Sequence, residues 1–255
     1  MLFLPSLLLL LSNSIDIIKL GKLIYSEPTY PSSLDSTEVH EYDNWRSLSF
    51  KNPEFLDNSV QSVVKMRNNN NADPMIISTE YLLTIIDVAM PTLTLLSATA
   101  PLKIAVLGMG GGTLPHYFSS HPSLENSVID AVELSPTVAF AAINFLGLAS
   151  ASNVHVHISD ALDWLENSPP PSSLDAIFVD IFSSDPPNLT PPAFLSLDFL
   201  RLCSRKLKRT GYICHNVHNQ QLSLAQQNYK IAFPNSAIEH SPASGNTVIS
   251  LKFLN

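Results

Sequence analysis

The chain has 255 residues, of which 45% are apolar and 14% charged, and it carries a net charge of −8. This balance suits one sizeable core with room for a small extra module and excludes a disordered chain. The acidic surplus argues against non-specific grip on nucleic acid or anionic lipid, which needs clustered lysine and arginine, and favours a protein or a cationic small molecule as partner.

Met1 to Leu11 is almost wholly apolar and has the length of a signal-peptide core, too short for a stable membrane span. No basic residue precedes it and no clean small-residue cleavage site follows. A targeting leader and an ordinary amphipathic start therefore both stay open, the first implying a secretory or organellar protein and the second a cytoplasmic one. In the secretory case Asn188-Leu189-Thr190 becomes a glycosylation acceptor. Tyr25 to Thr37, rich in Pro, Ser and Thr, reads as linker, so residues 1–37 are taken as leader and linker. Residues 38–73 should form a small antiparallel β module from Val39–Tyr42, Trp45–Phe50 and Ser59–Met66, with turn formers between. Arg67 to Pro74, with four consecutive asparagines, reads as a loop.

Residues 74–255 have the pattern of a doubly wound α/β domain. Apolar spacing predicts a helix over Ser78–Leu96. Strands are then expected at Lys103–Leu107, Val128–Glu133, Val154–Ile158, Asp175–Asp180 and Tyr212–Asn216. Helices are expected at Leu114–Ser120, Pro136–Leu146, Ala161–Glu166, Pro192–Lys206 and Leu222–Phe233. The end, Ala237 to Phe253, looks like a hairpin around Ser244-Gly245-Asn246, which makes the last strand antiparallel. The fold expected is thus a seven-stranded, mostly parallel Rossmann-like sheet with a terminal antiparallel hairpin.

Four of the eight glycines, Gly108, Gly110, Gly111 and Gly112, fall within five residues after the first strand of this domain. Such density points to close approach of a ligand, with loop and helix amides as donors. Glu133 ends the next strand, where a carboxylate can accept both hydroxyls of a ribose. Asp160, followed by Ala161, ends the third, where it can cap a helix, accept an adenine amine, or do both. Strand, glycine loop, helix, strand and acid together predict an adenosine-bearing cofactor. Asp180 ends the fourth strand and is the candidate to contact a reacting amine, whereas Asp185 reads as a turn acid. His155 with His157, and His215 with His218, lack a third ligand of suitable spacing, so no metal site is expected. Cys203 and Cys214 read as buried fillers, since two cysteines supply neither a disulfide scaffold nor a zinc cluster.

These motifs resemble the class I S-adenosylmethionine-dependent methyltransferases, in the branch shared by spermidine synthases and the methyltransferase-like 13 family. The resemblance rests on Val106 to Pro115, Ile129 to Pro136, Ser159 to Asp163, Asp175 to Asp185, Pro191 to Leu195 and Phe199-Leu200. Val60-Gln61-Ser62 is similar to a family strand motif, which implies that Gln61 lies over the cofactor. The resemblance implies S-adenosyl-L-methionine as cofactor, or its decarboxylated form if the chain transfers aminopropyl groups to a polyamine. It also implies an amine acceptor, a protein N-terminus or lysine or a small amine, and a homodimer built through the β module. Three departures point away from aminopropyl transfer. Thr113 stands where family synthases place an aspartate after the glycines. Ile181 and Phe182 interrupt the acidic loop between Asp180 and Ser183. No Tyr-Gln-Glu triplet occurs within Tyr81 to Ile86. A catalytically silent binding module is the third reading.

Overall fold

The computed structural model describes residues 21–29, 35–51, 59–68, 71–183 and 189–253. The leader reading of Met1 to Leu11, the glycosylation reading of Asn188 and the turn role of Asp185 lie outside the described residues.

The first sheet is antiparallel, with β1 (Lys22–Pro28), β2 (Ser36–Tyr42), β3 (Trp45–Lys51), β4 (Ser59–Asn68) and β5 (Asn71–Ala72) in sequential order. It begins at Lys22, which corrects the linker reading of the segment from Tyr25. The composition misleads because β1 is an edge strand, paired to β2 alone and mostly exposed. At an edge Ser, Glu and a terminal Pro cost the ladder little. The segment Arg67 to Pro74 is likewise more than loop, since Asn71 and Ala72 pair back on Asn68 and Met66. In β4 the register slips: Val60 pairs with Ser49 and Ser62 with Leu48, so Gln61 is the extra residue of the ladder. That is a β-bulge, a device that re-aims side chains.

The second sheet contains β6 (Lys103–Leu107), β7 (Val128–Glu133), β8 (Val154–Ile158), β9 (Leu174–Val179), β10 (Leu207–His218), β11 (Ser236–Ala243) and β12 (Asn246–Phe253). Their order is β11-β12-β10-β9-β6-β7-β8. The pairs among β6 to β10 are parallel, and β12 runs antiparallel to both neighbours. The helices are α1 (Glu80–Ser97), α2 (Thr113–Ser120), α3 (Pro136–Phe145), α4 (Ala161–Asn167), α5 (Pro192–Leu195), α6 (Leu197–Lys206) and α7 (Leu222–Ala232). One helix was expected over Pro192–Lys206. The chain instead breaks at Ser196, whose extended backbone and side chain accepting from the Phe199 amide make it an N-cap for α6.

Strands buried on both faces split their side chains by parity. Ile104 and Val106 of β6 join one core layer with α1 and α2, while Ala105 and Leu107 join the opposite layer with α4 to α7. By length and composition α1 could cross a membrane, but Leu82, Ile85, Ile86, Ala89, Met90 and Leu93 are buried, the placement of a core helix. Helix α3 joins the two sheets. Its Ala139 and Ala142 pack toward the second sheet, while Val138 and Ala141 pack on Val39, Leu48 and Val64 of the first. Arg46 Nη1 donates to the Phe145 carbonyl at 2.8 Å, and Tyr25 stacks within 5.5 Å of Phe140 and Phe145. The module is thereby fixed over the carboxyl ends of the parallel strands. Cys203 and Cys214 are buried and free, and burial pushes both thiols up in pKa.

Candidate active site

Chain order reverses between β6 and β9, which makes the crevice at their carboxyl ends the natural ligand site of an open α/β sheet. A cavity of about 490 Å³ occupies it. Its lining includes Gly108, Gly110, Glu133, Asp160, Ala161, Asp180 and Gln61, so these predicted residues converge. Gly111 and Gly112, also expected at the cofactor, do not line it: Gly111 packs against Ser62 and Leu146, and Gly112 against Leu148.

The glycine loop works by shape more than by donation. Gly108 has φ +82° and lies so close to the β9 end that a Cβ there would meet the Asp180 carbonyl oxygen at 2.2 Å. Gly110, at φ +53°, meets nothing nearer than the Ser62 hydroxyl at 3.9 Å and leaves room beside it. The expectation that loop amides reach the ligand needs correction. The amides of Gly108 and Met109 both donate to the Val132 carbonyl, Gly110 to Glu133 Oε2, Gly111 to Ser62 Oγ and Gly112 to the Met109 carbonyl. A tight turn at a strand end satisfies its own donors first.

Glu133 accepts from the Gly110 amide through Oε2 and from the Ser135 amide through Oε1, each at 3.0 Å. Burial raises its pKa, opposed by the backbone amides around it. The helix cap beside it is Ser135, with Pro136 at the first helical position. Asp160 does cap α4, its Oδ1 accepting from Leu162 at 2.8 Å and Asp163 at 3.2 Å, while its edge faces the cavity with Ala161. The bulge in β4 is the physical reason that Gln61 and its neighbour Ser62 both line the cavity rather than opposite faces of a strand.

Asp180 is the most constrained of the set. Asn216 Nδ2 donates to its Oδ1 at 2.9 Å, and the Tyr81 hydroxyl bonds the same carboxyl. Burial raises its pKa to about 6, against which these two bonds act. Tyr81, Asn216 and Ser62 were missed in the sequence. Asn216 carried the better signal, a carboxamide beside His215 in the mostly apolar run Tyr212 to Val217. The N-terminal module adds Thr29, Asp35 and Phe50 to the lining. Among the described residues no lysine, arginine or histidine lines the cavity. The histidines do not converge on it. His157 Nε2 lies 2.7 Å and His155 Nδ1 3.8 Å from Asp130, and His215 is buried against the Tyr229 hydroxyl with its pKa lowered by burial to about 3.

No protein-family model matches the chain. Among solved structures, it overlays a probable spermidine synthase from Corynebacterium glutamicum with a TM-score of 0.69, at 22% identity over 91% of this chain and 80% of that one. Human methyltransferase-like protein 13 in complex with SAH gives a TM-score of 0.59, at 26% identity over 69% of this chain and 82% of that one. The domain has the class I methyltransferase fold. The same two branches appear among curated proteins. The eEF1A lysine and N-terminal methyltransferase of Mus musculus is 34% identical over 52% of this chain and 20% of its own length. Spermine synthase of Arabidopsis thaliana is 33% identical over 51% of this chain and 36% of its own length. The chain thus spans a fifth to about a third of these relatives. The resemblance read from the motifs is borne out, in the class I fold and in both branches.

Proposed function

We propose that this chain is an S-adenosylmethionine-dependent methyltransferase acting on an amine of a protein, at its N-terminus or a lysine. One observation carries the reading: an isolated carboxyl, Asp180, is fixed by Tyr81 and Asn216 at the floor of a cavity that also holds Glu133 and Asp160 on adjoining strand tips. The residues fit the cofactor. The cavity is of the size that encloses a nucleoside ligand, Gly110 leaves one wall open, and the buried Thr113 hydroxyl there has no partner among the described residues. In this reading Glu133 takes the ribose hydroxyls, Asp160 and Ala161 the adenine, and Thr113 with the space at Gly110 the methionine end, with Gln61 above it. The bound cofactor supplies a methyl group on a positively charged sulfur, so the protein's work is chiefly positioning. Asp180 orients the neutral amine and accepts its proton at a carboxyl oxygen. The relatives named for eEF1A methylation support the protein acceptor.

Aminopropyl transfer is the second reading, supported by the spermidine synthase likeness. Three features stand against it: Thr113 brings no acid to the cofactor's tail, Phe182 fills the acidic loop, and Leu82 and Leu83 follow Tyr81. Calorimetry of the full chain with S-adenosylmethionine and with its decarboxylated form separates them. Tighter binding of the intact form is expected, preference for the decarboxylated form overturns the assignment, and binding of neither leaves a silent module. Glu133→Ala should weaken binding of the intact cofactor about 10- to 100-fold, since one carboxylate accepts both hydroxyls. Unchanged affinity removes Glu133 from the ribose.

A further inference from the structure

Both oxygens of the Glu133 carboxylate are held by loop amides, and the N-terminal sheet stands behind each of them. On one side Oε2 accepts from the Gly110 amide, and the next amide, that of Gly111, donates to Ser62 Oγ of β4 at 3.2 Å. A Cβ at Gly111 would lie 2.5 Å from the Ser62 Cβ, so the bulged strand abuts the glycine loop. On the other side Oε1 accepts from the Ser135 amide, and a run of hydroxyls leads away from that residue. Ser135 Oγ lies 2.8 Å from Thr137 Oγ1, and Thr137 Oγ1 lies 3.4 Å from Thr37 Oγ1 of β2. Thr37 Oγ1 in turn lies 2.6 Å from Thr29 Oγ1, just past β1. Thr37 is wholly buried, and neither it nor Thr137 lines the cavity, so neither is placed to touch a ligand there. The plain account is that these hydroxyls cap α3 and satisfy one another. It covers Ser135, which accepts from the Val138 amide at 3.4 Å, but not Thr37, which arrives from the other sheet. Fastening that sheet to α3 does not require the hydroxyls either, since Arg46 and Tyr25 hold it at Phe140 and Phe145.

We propose that the N-terminal sheet sets the grip on the cofactor's ribose, with Thr37 and Thr137 as positioning residues for Glu133. A carboxylate meets two vicinal hydroxyls at once only in a narrow range of orientations, and the amides on its two oxygens fix that orientation. Ser62 steadies the amides at Gly110 and Gly111, and the hydroxyl run steadies Ser135. Hydrogen bonds in such a chain polarise and order one another. Its longest step, Thr37 to Thr137, is where the module meets the α/β domain, so ribose recognition depends on how the module is seated. The inference rests on the cofactor reading that places Glu133 on the ribose.

The test titrates the full chain in a calorimeter with S-adenosylhomocysteine and with its 2′-deoxy form, and reads the ratio of the two affinities. A change in the folded fraction moves both affinities together and leaves the ratio alone. The parent should prefer S-adenosylhomocysteine about ten-fold, because the deoxy form leaves a Glu133 oxygen without its hydroxyl. Thr37→Val keeps the shape and loses the hydroxyl, so the preference should shrink to about three-fold, and Thr37→Ser should keep the parental ratio. Thr137→Val breaks the same contact from the α3 side and should give the same reduced ratio, which decides the matter where Thr37→Val does not fold. A parental ratio in the valine variants overturns the proposal, and so does a loss that Thr37→Ser shares. A parent that binds both forms equally removes Glu133 from the ribose, and one that binds neither strikes the cofactor reading. Either result takes the proposal with it, and each is told apart because it shows in the parent rather than in a variant.

Discussion

Asp180→Asn is expected to lower turnover about 10³-fold, the size of a lost general base, while making the protein more stable at neutral pH. Both effects follow from the same burial. Burial pushes the carboxyl up to about 6 in the folded chain, from an ordinary value of 3.8. Between these values the folded state binds more protons than the unfolded one, so stability falls as pH rises from about 4 through 6. At pH 7.5 the ionised Asp180 costs about 3 kcal/mol at most, less where water in the cavity reaches it. Asparagine keeps the shape, can turn its oxygen to Asn216 Nδ2 and can donate to the Tyr81 hydroxyl. Thermal unfolding of the variant at pH 7.5 should therefore lie several degrees above the parent, with the gap closing toward pH 4. In the parent the rate should fall below pH 6 as Asp180 takes up its proton. Tyr81→Phe removes a bond that lowers the Asp180 pKa, so the acid limb should move upward. Full turnover in Asp180→Asn removes the residue from the chemistry. A variant that is both inactive and destabilised assigns it a structural part.

The residues that the sequence made visible are those whose placement follows from local pattern. Glu133 and Asp180 close largely apolar runs and Asp160 follows an alternating one, and in an α/β sheet the end of such a strand faces the crevice whatever the rest of the chain does. The glycine cluster was legible for the same reason. Its chemistry was not, because whether an amide is free depends on which carbonyl the turn brings back to it, and Val132, Glu133 and Ser62 all arrive from elsewhere. Tyr81 and Asn216 were hidden by distance along the chain. Asn216 reaches Asp180 because β10 pairs with β9 at His215 and Val179, and Tyr81 because α1 packs across β10 to β12, tertiary events that no spacing encodes. Gln61 was assigned through a family likeness, and its bulge is one residue of register slip that composition does not announce. Strand β1 was lost because an exposed edge strand and a linker share the same polar composition.

Gly108→Ala is the substitution expected to damage both fold and site, and the contrast with Gly110→Ala shows why. Both positions have positive φ, which costs an alanine about 1–2 kcal/mol. At Gly108 the added methyl also meets the Asp180 carbonyl carbon at 2.8 Å and its oxygen at 2.2 Å, backbone atoms of a central strand that cannot swing aside. Relief requires β9 to part from β6 at the very pair where the Asp180 amide bonds the Leu107 carbonyl. Overpacking of this kind adds about 1–3 kcal/mol, for a total near 4 and a fall in the unfolding midpoint on the order of 10 °C. Turnover should drop at least ten-fold beyond the loss of folded protein, because Asp180 is displaced from Tyr81 and Asn216, and reacting geometry tolerates little misplacement. Gly110→Ala meets nothing within 3.9 Å, so it should fold with only the backbone cost and lose cofactor affinity instead, its methyl occupying the wall that the ligand would line. Thermal unfolding, calorimetry and steady-state rates on the two variants separate these outcomes. If Gly108→Ala unfolds like the parent and turns over normally, then the glycine loop does not set the position of the reactive acid, and the geometric basis of the site fails with it.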